Sequence, residues 1–397
     1  MSTPIVRWSL LLKSTRSAGI VPRSSHNIAV SKNGLLAIYG GELKPRTPVD
    51  SAVSSSDAAE GAQTARGSIH VYELTCSIAS SETGSSSVLK SLKPVLKGSG
   101  TSFDDPEPRV GATLVPDSNS DCFYLWGGRG GVDMAPLDPT QAGIWRATIS
   151  GDKSVGLCWD RIPSVNEQDA PEPRSYHASV LHEGKVYIHA GCPASGRLTT
   201  MHSFDLTTGT WRALTSAPEP GRGGTVLAVS IFKGKDVILR FGGFAGYELP
   251  TSDNMGVVDI YSIHNDKWTT ERAEADPEYG FPGSRSVHGF VGLPRTRENG
   301  NAIAVLYHGE RDASSLGHAG AGVFWDDVWV LYDENEGLQW RKAIVEGDER
   351  PEARGWFPSA VWNSQPGKSK VVMHGGLVSS NARMDDLWVM DLKLGNH

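Results

Sequence analysis

The sequence predicts an all-β chain folded as a single six-bladed β-propeller over residues 1–397, closed into a ring by its N-terminal strand. Three observations lead there. One phrase recurs six times: an Arg, a β-rich run, a turn, a second β-rich run ending in glycine, a variable loop, then an aromatic-rich strand and often a Trp. With 45 Gly, 23 Pro and 12 Trp in 397 residues, the composition suits many short strands joined by tight turns better than long helices. The last copy also stops one strand short, while the first residues of the chain hold a strand with no copy to belong to. Four-stranded antiparallel units repeated radially leave only short, protected edges, which makes the propeller the architecture expected of such a repeat.

The copies read as follows. The first runs from "PRSSHNIAV" through "LLAIYGGE" to "IHVYEL", and the second has "PRVGATLV", "CFYLWGGRGG", "GIWRATI" and "CWDRI". The third, "PRSYHASVL", "KVYIHAG", "MHSFDL" and "TWRAL", is the cleanest. The fourth gives "GRGGTVLAV", "DVILRFGG", "VVDIYSI" and "KWTTE", and the fifth "SRSVHGFVGL", "AIAVLYHGE", "DVWVLYD" and "QWRKA". The sixth, "ARGWFPSAV", "KVVMHGG" and "DDLWVMDL", lacks a fourth strand, and "IVRWSLLL", with Trp8 in the phase of Trp211, Trp268 and Trp340, is expected to supply it. Segments near 43–67 and 77–100, rich in Ser, are insertions into this scheme, the second standing where the Trp end of the first copy should be. The pairs Gly40-Gly41, Gly127-Gly128, Gly242-Gly243 and Gly375-Gly376 read as tight turns of positive φ. They are not phosphate cradles, because no helix follows to supply a dipole.

A net charge of −7 lacks the basic excess that nucleic acid requires, so no nucleic acid partner is expected. The apolar run near the N-terminus is three leucines, too short for a signal core or a membrane span. Four scattered cysteines without a CxxC pair suggest neither a zinc site nor a disulfide framework, and point to a reduced, cytoplasmic protein.

In each copy the first strand leaves one face and the second returns to it, so the segment after each glycine turn shares a face with the start of each first strand. Six arginines start those strands: Arg23, Arg109, Arg174, Arg222, Arg285 and Arg354. One residue at the same phase of every blade forms a circle around the central opening. These arginines are therefore expected to make the mouth cationic and to hold a small anionic molecule by bidentate forks. The framework alternative for any one of them is pairing with a carboxylate or carbonyl of the next blade. The same face carries "GERDASSLGHAGAG", Gly309–Gly322, where Glu310, Asp312 and His318 offer carboxylate and imidazole donors to a divalent metal beside the basic mouth. His26, His177 and His288, three residues after the arginines, read as framework groups.

At this point the residues resemble a known family. "PRSSHNIA" with "YGGELKP", "GERDASSLGHAGAG", and "ARGWFPSAV" with "KVVMHGGLVSSNARMDDLWV" are similar to the kelch-propeller specifier proteins of glucosinolate breakdown, the nitrile-, epithio- and thiocyanate-forming proteins. The resemblance implies a ferrous ion held by a Glu-x-x-x-Asp-x-x-x-His loop. Glu310 and His318 fall on its first and last positions, and Ser314 stands at the middle one, leaving Asp312 as the substitute carboxylate. It also implies substrate contacts at Arg109 and Arg174, a pocket tryptophan at Trp356, and an upstream hydrolase as partner. Glu310, His318 and Trp356 are the residues expected to act in a lyase or rearrangement step. The competing reading is a non-catalytic kelch module that binds an acidic protein segment on the same face; no adaptor segment accompanies the repeats.

Overall fold

The computed structural model describes residues 3–14, 20–50, 65–74, 90–93, 105–117, 119–150, 156–365 and 367–394. Its strands form six antiparallel blades of four main strands, I to VI, and in blades I to V these follow one another along the chain from the axis outward. The inner strands are Asn27–Val30, Thr113–Pro116, Ala178–His182, Val226–Phe232, Gly289–Gly292 and Ser359–Gln365. Blade I ends in Lys90–Leu92, so its fourth strand comes from within the Ser-rich insertion instead of being replaced by it. The insertion near 43–67 lies largely outside the described residues; its first part forms a two-stranded hairpin, Glu42–Lys44 with Thr47–Pro48.

Blade VI closes the ring. Its second and third strands, Lys368–Val378 and Arg383–Lys393, are chain-terminal, and its outer strand is Ile5–Leu12, antiparallel to the third with Trp8 opposite Met390. Ile344–Glu346 adds a short parallel edge beyond it. Trp8 is buried among the rings of Tyr307 (5.6 Å), His308 (6.0 Å) and Trp388 (6.5 Å), which belong to blades V and VI. The N-terminal strand thus seals two blades at once.

Alternation along the strands sends successive side chains to opposite faces of a blade, and each face meets the neighbouring blade. Each blade-to-blade interface accordingly holds its own apolar cluster. Ala29, Tyr39, Leu114 and Trp159 fill the interface of blades I and II, and Ile28, Val30, Trp362 and Val389 that of VI and I. Trp211, Trp268 and Trp340 from the outer strands are buried in the same way.

The glycine turns follow from crowding at the axis. At Gly309, with φ of 99°, a Cβ would lie 2.3 Å from the His288 Cβ, so only glycine fits where the second strand bends past the next layer. Truncating the closing tryptophan, Trp8→Ala, should cost about 3–5 kcal/mol. Denaturant unfolding measures this, and an unchanged midpoint would show that the ring does not depend on its N-terminal strand.

Candidate functional site

Two residues after each blade-opening arginine, the chain reaches the axis. Ser25, Gly111, Tyr176, Gly224, Val287 and Trp356 all have φ between 46° and 63°. Each amide donates to the carbonyl of the equivalent residue in the preceding blade: Ser25 to Trp356 (2.8 Å), Gly111 to Ser25 (3.4 Å), Tyr176 to Gly111 (2.8 Å), Gly224 to Tyr176 (2.9 Å), Val287 to Gly224 (2.8 Å) and Trp356 to Val287 (3.0 Å). The result is a closed hoop of main-chain hydrogen bonds around the mouth of the central channel. The channel, about 720 Å³, is lined by the inner strands of all six blades.

The hoop explains where the arginines go, and the expectation of an arginine-ringed mouth is corrected. Arg23, Arg109, Arg174, Arg222, Arg285 and Arg354 are all buried, and none lines the channel. Each folds back: its Nε donates to the carbonyl two residues earlier and its Nη1 to the carbonyl at its own blade's glycine turn, namely Gly40, Gly127, Ala190, Gly242, His308 and Gly375, at 2.9–3.2 Å. Arg285 and Arg354 are further clamped bidentately by Asp327 and Asp386, and Arg174 by the Thr200 hydroxyl. A guanidinium carries five donors, and turn carbonyls without a strand partner need donors, so the two satisfy each other, and burial keeps the remaining N–H groups away from the channel. Burial pushes Arg23 and Arg174 down to about 10 and Arg222 to about 9.

The residues that follow the glycine turns stand beside the hoop. Glu42, Arg129, Cys192, Phe244, Glu310 and Leu377 pair through the backbone with the residue after each arginine. Of these, Glu42 is held by Arg383 (2.9 Å) and Ser24, and Arg197 lies over the Phe244 ring. Burial raises the Cys192 thiol against the opposing influence of Arg197 and Arg129. Arg129 is half-buried, donates from Nε to Ser175 Oγ (2.7 Å) and places its Cζ 5.4 Å from the centre of the Tyr176 ring. Among the described residues no carboxylate is within ion-pairing distance of it. Tyr176 and Trp356, from blades III and VI on opposite sides of the ring, meet edge to face across the mouth at 5.6 Å. Trp356 lies among the residues that line the channel.

In blade V the loop is anchored by Glu310–Asp312 pairing with Val323–Phe324. Glu310 is 6% exposed and pushed up to about 7, mainly by burial, with the Gly322 amide working against the shift. Asp312 points to solvent and pairs with Arg311 at 2.9 Å, so it does not converge on Glu310. The Ser314 hydroxyl accepts from the Leu316 amide. His318 lies in the single 3-10 turn Gly317–Ala319, and its side chain is outside the described residues. Sequence reasoning missed Glu248 of blade IV, whose residue is bridged to Phe244. Neither of its carboxylate oxygens reaches solvent or completes a hydrogen bond, although the Ser286 hydroxyl is near enough to favour the ionised form. Burial foremost, then the carboxylates of Glu310 and Asp312, push it up to about 8. Among the described residues, the only three metal-ligating side chains whose ligand atoms lie within 4.8 Å of one another are His182, Glu183 and Asp236, away from the mouth at the hairpins of blades III and IV.

The expected framework histidines are buried. His26 Nε2 sits 2.9 Å from His374 Nδ1, and His177 Nε2 is 2.8 Å from Thr113 Oγ1. His26, His70, His189 and His288 are held well below the usual imidazole range, and His177, His308 and His374 down to about 3, by burial first and by the neighbouring arginines where these are close.

Two predictions follow from this geometry. Arg174→Glu should destabilise the fold by about 3–5 kcal/mol, the cost of leaving buried partners uncompensated. A melting temperature equal to the parent's would restore the exposed-arginine picture. Because the buried histidines are neutral in the folded protein and titrate near 6.5 when unfolded, the unfolded chain binds more protons below that pH. Stability should be complete above about pH 6.5 and fall as pH drops toward 3, by about 1.4 kcal/mol per pH unit for each histidine. Urea unfolding at stepped pH checks the slope.

Comparison with known proteins agrees with the architecture. Residues 97–296 match the model of the KLHDC2/KLHL20/DRC7 Kelch-repeats domain. An N-(sulfonatooxy)prop-2-enimidothioate sulfolyase of Thlaspi arvense is 25% identical over 251 residues, a match spanning 58% of this chain and 66%, just under two thirds, of that relative. The solved structure of YjhT superposes with a TM-score of 0.57 over 95% of this chain and 96% of its own, at 15% identity, a likeness of fold alone. With six blades, six glycine turns and a matched half of its length, the chain belongs to the kelch-repeat propeller family and is a diverged relative resembling the specifier proteins.

Proposed function

We propose that this kelch protein acts on a small anionic molecule bound at the channel mouth, with Arg129 as the anion-binding residue and Tyr176 and Trp356 as the aromatic walls. The observation that carries the reading is Arg129 itself: a half-buried guanidinium, positioned by Ser175 and the Tyr176 ring, with no carboxylate to neutralise it among the described residues. A positioned, unneutralised fork in a partly dry setting is the group an anionic oxygen binds best. The likeness to a sulfolyase favours a lyase or rearrangement step on such a substrate, delivered by an upstream hydrolase. Glu310 is the acid we assign to that step, since a carboxyl poised near neutrality can give and take a proton.

The ferrous ion implied by the resemblance would be held by Glu310 and His318 within the blade V loop, where it would supply a Lewis acid for substrate oxygens. The donor set of that loop alone suits it poorly: Ser314 is a neutral hydroxyl and Asp312 is turned outward beside Arg311. A second reading, a module that docks an acidic protein segment on the same face, is favoured by the apolar tips of the loops after the glycine turns, where Val132 and Leu316 are 101% and 71% exposed.

Both readings give Arg129 the anion, and ligand size separates them. Arg129→Gln should weaken binding of a small sulfonate or carboxylate probe at least tenfold, about 1.4 kcal/mol, while the melting temperature stays within a degree or two. Calorimetric titration reads the first and thermal unfolding the second. Unchanged probe binding in Arg129→Gln would overturn the proposal, and binding seen only with acidic peptides would favour the docking module.

A further inference from the structure

We propose that the central channel is itself a binding site, for a small neutral hydroxylated molecule such as a short polyol or a sugar, entered from the face opposite the mouth. The site is separate from the anion site at Arg129 and does not rest on it.

Size and closure come first. The cavity of about 720 Å³ falls within the range of small-molecule sites, roughly 300–1,000 Å³. At its mouth end the Tyr176 and Trp356 rings meet across the opening. Tyr176 lies over Gly111, where a Cβ would stand 2.9 Å from two of the ring carbons, so the absence of a side chain there is what lets the ring reach across. Each inner strand starts beside the hoop and runs away from it, which puts Lys32, Asp117, Leu181 and Asn363 at the far end. Lys32 and Asn363 are exposed, and Asp117 and Leu181 half-buried, so the far end is the open one.

The lining sets the chemistry. An inner strand pairs with its blade on one side only, so its other edge offers main-chain N–H and C=O groups to the channel it lines. Blades I to III add the half-buried polar residues Asn27, Thr113 and Ser179. The Thr113 and Ser179 hydroxyls bond each other at 2.7 Å, whereas no described residue bonds the Asn27 carboxamide. Across the axis, Val226 and Val229 of blade IV and Pro358, Ala360 and Val361 of blade VI are half-buried and apolar. Among the described lining residues only Lys32 and Asp117 carry charge, both at the far end, because burial keeps His26, His177 and His288 neutral. A charged ligand inside would find no counter-charge, and a hydrocarbon would strip water from the Asn27 amide and the strand edges without replacing it. A hydroxyl both donates and accepts, so it serves either kind of edge group, while the C–H side of a polyol lies against the valines and the Trp356 ring.

The test is calorimetric titration of the full-length protein with erythritol and with glucose. We expect the parent to take up one equivalent of at least one of them saturably. Asn27→Leu, close in shape but without the amide, should weaken that binding about tenfold, and Asn27→Phe, which fills the channel, should remove it. Thr113→Val is the milder variant on the same wall and should also weaken it, and thermal unfolding confirms that each variant folds. Arg129→Gln should leave the neutral-probe isotherm unchanged, so failure of this site and failure of the anion site are told apart. In that same Arg129→Gln protein, threonate, the carboxylate counterpart of erythritol, should bind about tenfold more weakly than erythritol or not at all. A parent that takes up neither neutral probe overturns the proposal, the channel then holding water alone. Binding undiminished in the folded Asn27 and Thr113 variants overturns it too, as does threonate bound as tightly as erythritol.

Discussion

The rest of the molecule depends on the hoop of six main-chain hydrogen bonds around the channel mouth. A propeller blade cannot satisfy both edges of its inner strand, and at the mouth the six strands converge on a small circle. Turning one residue of each strand to positive φ lets amide and carbonyl point along the circle, so each blade donates to the one before it. Four of those six residues are not glycine, and Val287 is β-branched, so local backbone strain is accepted where closure requires it. Net gains of about 1 kcal/mol per bond are modest. The consequence for geometry is larger: the hoop fixes the phase of every strand entering the sheet and hence which residue of each blade faces the axis.

The arginines are the second layer of the same device. Placed two residues before the hoop, each reaches across its own blade to the turn carbonyl, while in five of the six its own carbonyl accepts from the second turn residue of the preceding blade. In those five, one residue thus joins two blades, its side chain bonding within its own blade and its main-chain carbonyl accepting from the preceding one. A charged group in so enclosed a position is tolerated because its Nε and Nη1 both donate to carbonyls, and in Arg285 and Arg354 a carboxylate clamps it as well. This also separates framework from chemistry: the residues identical from blade to blade hold the ring, and the residues that differ from blade to blade, immediately after the glycine turns, decide what the mouth can bind.

That separation accounts for what could be read from the sequence. Six blades, the glycine turns and the closing strand of Trp8 were legible because repetition at fixed period reports fold directly, and a tryptophan in outer-strand phase has one place to go. The arginines misled because phase says that equivalent residues form a circle but not which circle is innermost; two residues of further travel, invisible in periodicity, move the axis from Arg174 to Tyr176. Arg129 was legible in principle as the residue after a glycine turn, the position that Glu310 holds in blade V. Glu248 was not legible, since it lies within a variable loop and the burial of its carboxylate oxygens arises only in the folded chain. The fourth strand of blade I was hidden by the Ser-rich composition around Lys90–Leu92.

A pseudo-symmetric scaffold acquires an asymmetric site through single residue choices at one position per blade. Glu42 is neutralised by Arg383, Phe244 is covered by Arg197 and Leu377 is apolar, whereas Arg129 has no carboxylate within ion-pairing distance among the described residues and the Glu310 carboxyl is buried. Blades II and V stand opposite each other in a six-membered ring, so the half-buried guanidinium of Arg129 and the buried carboxyl of Glu310 belong to opposite sides of it. Asymmetry of this kind needs no change in the framework, which is why one propeller can serve different chemistries by exchanging the residues that follow its glycine turns.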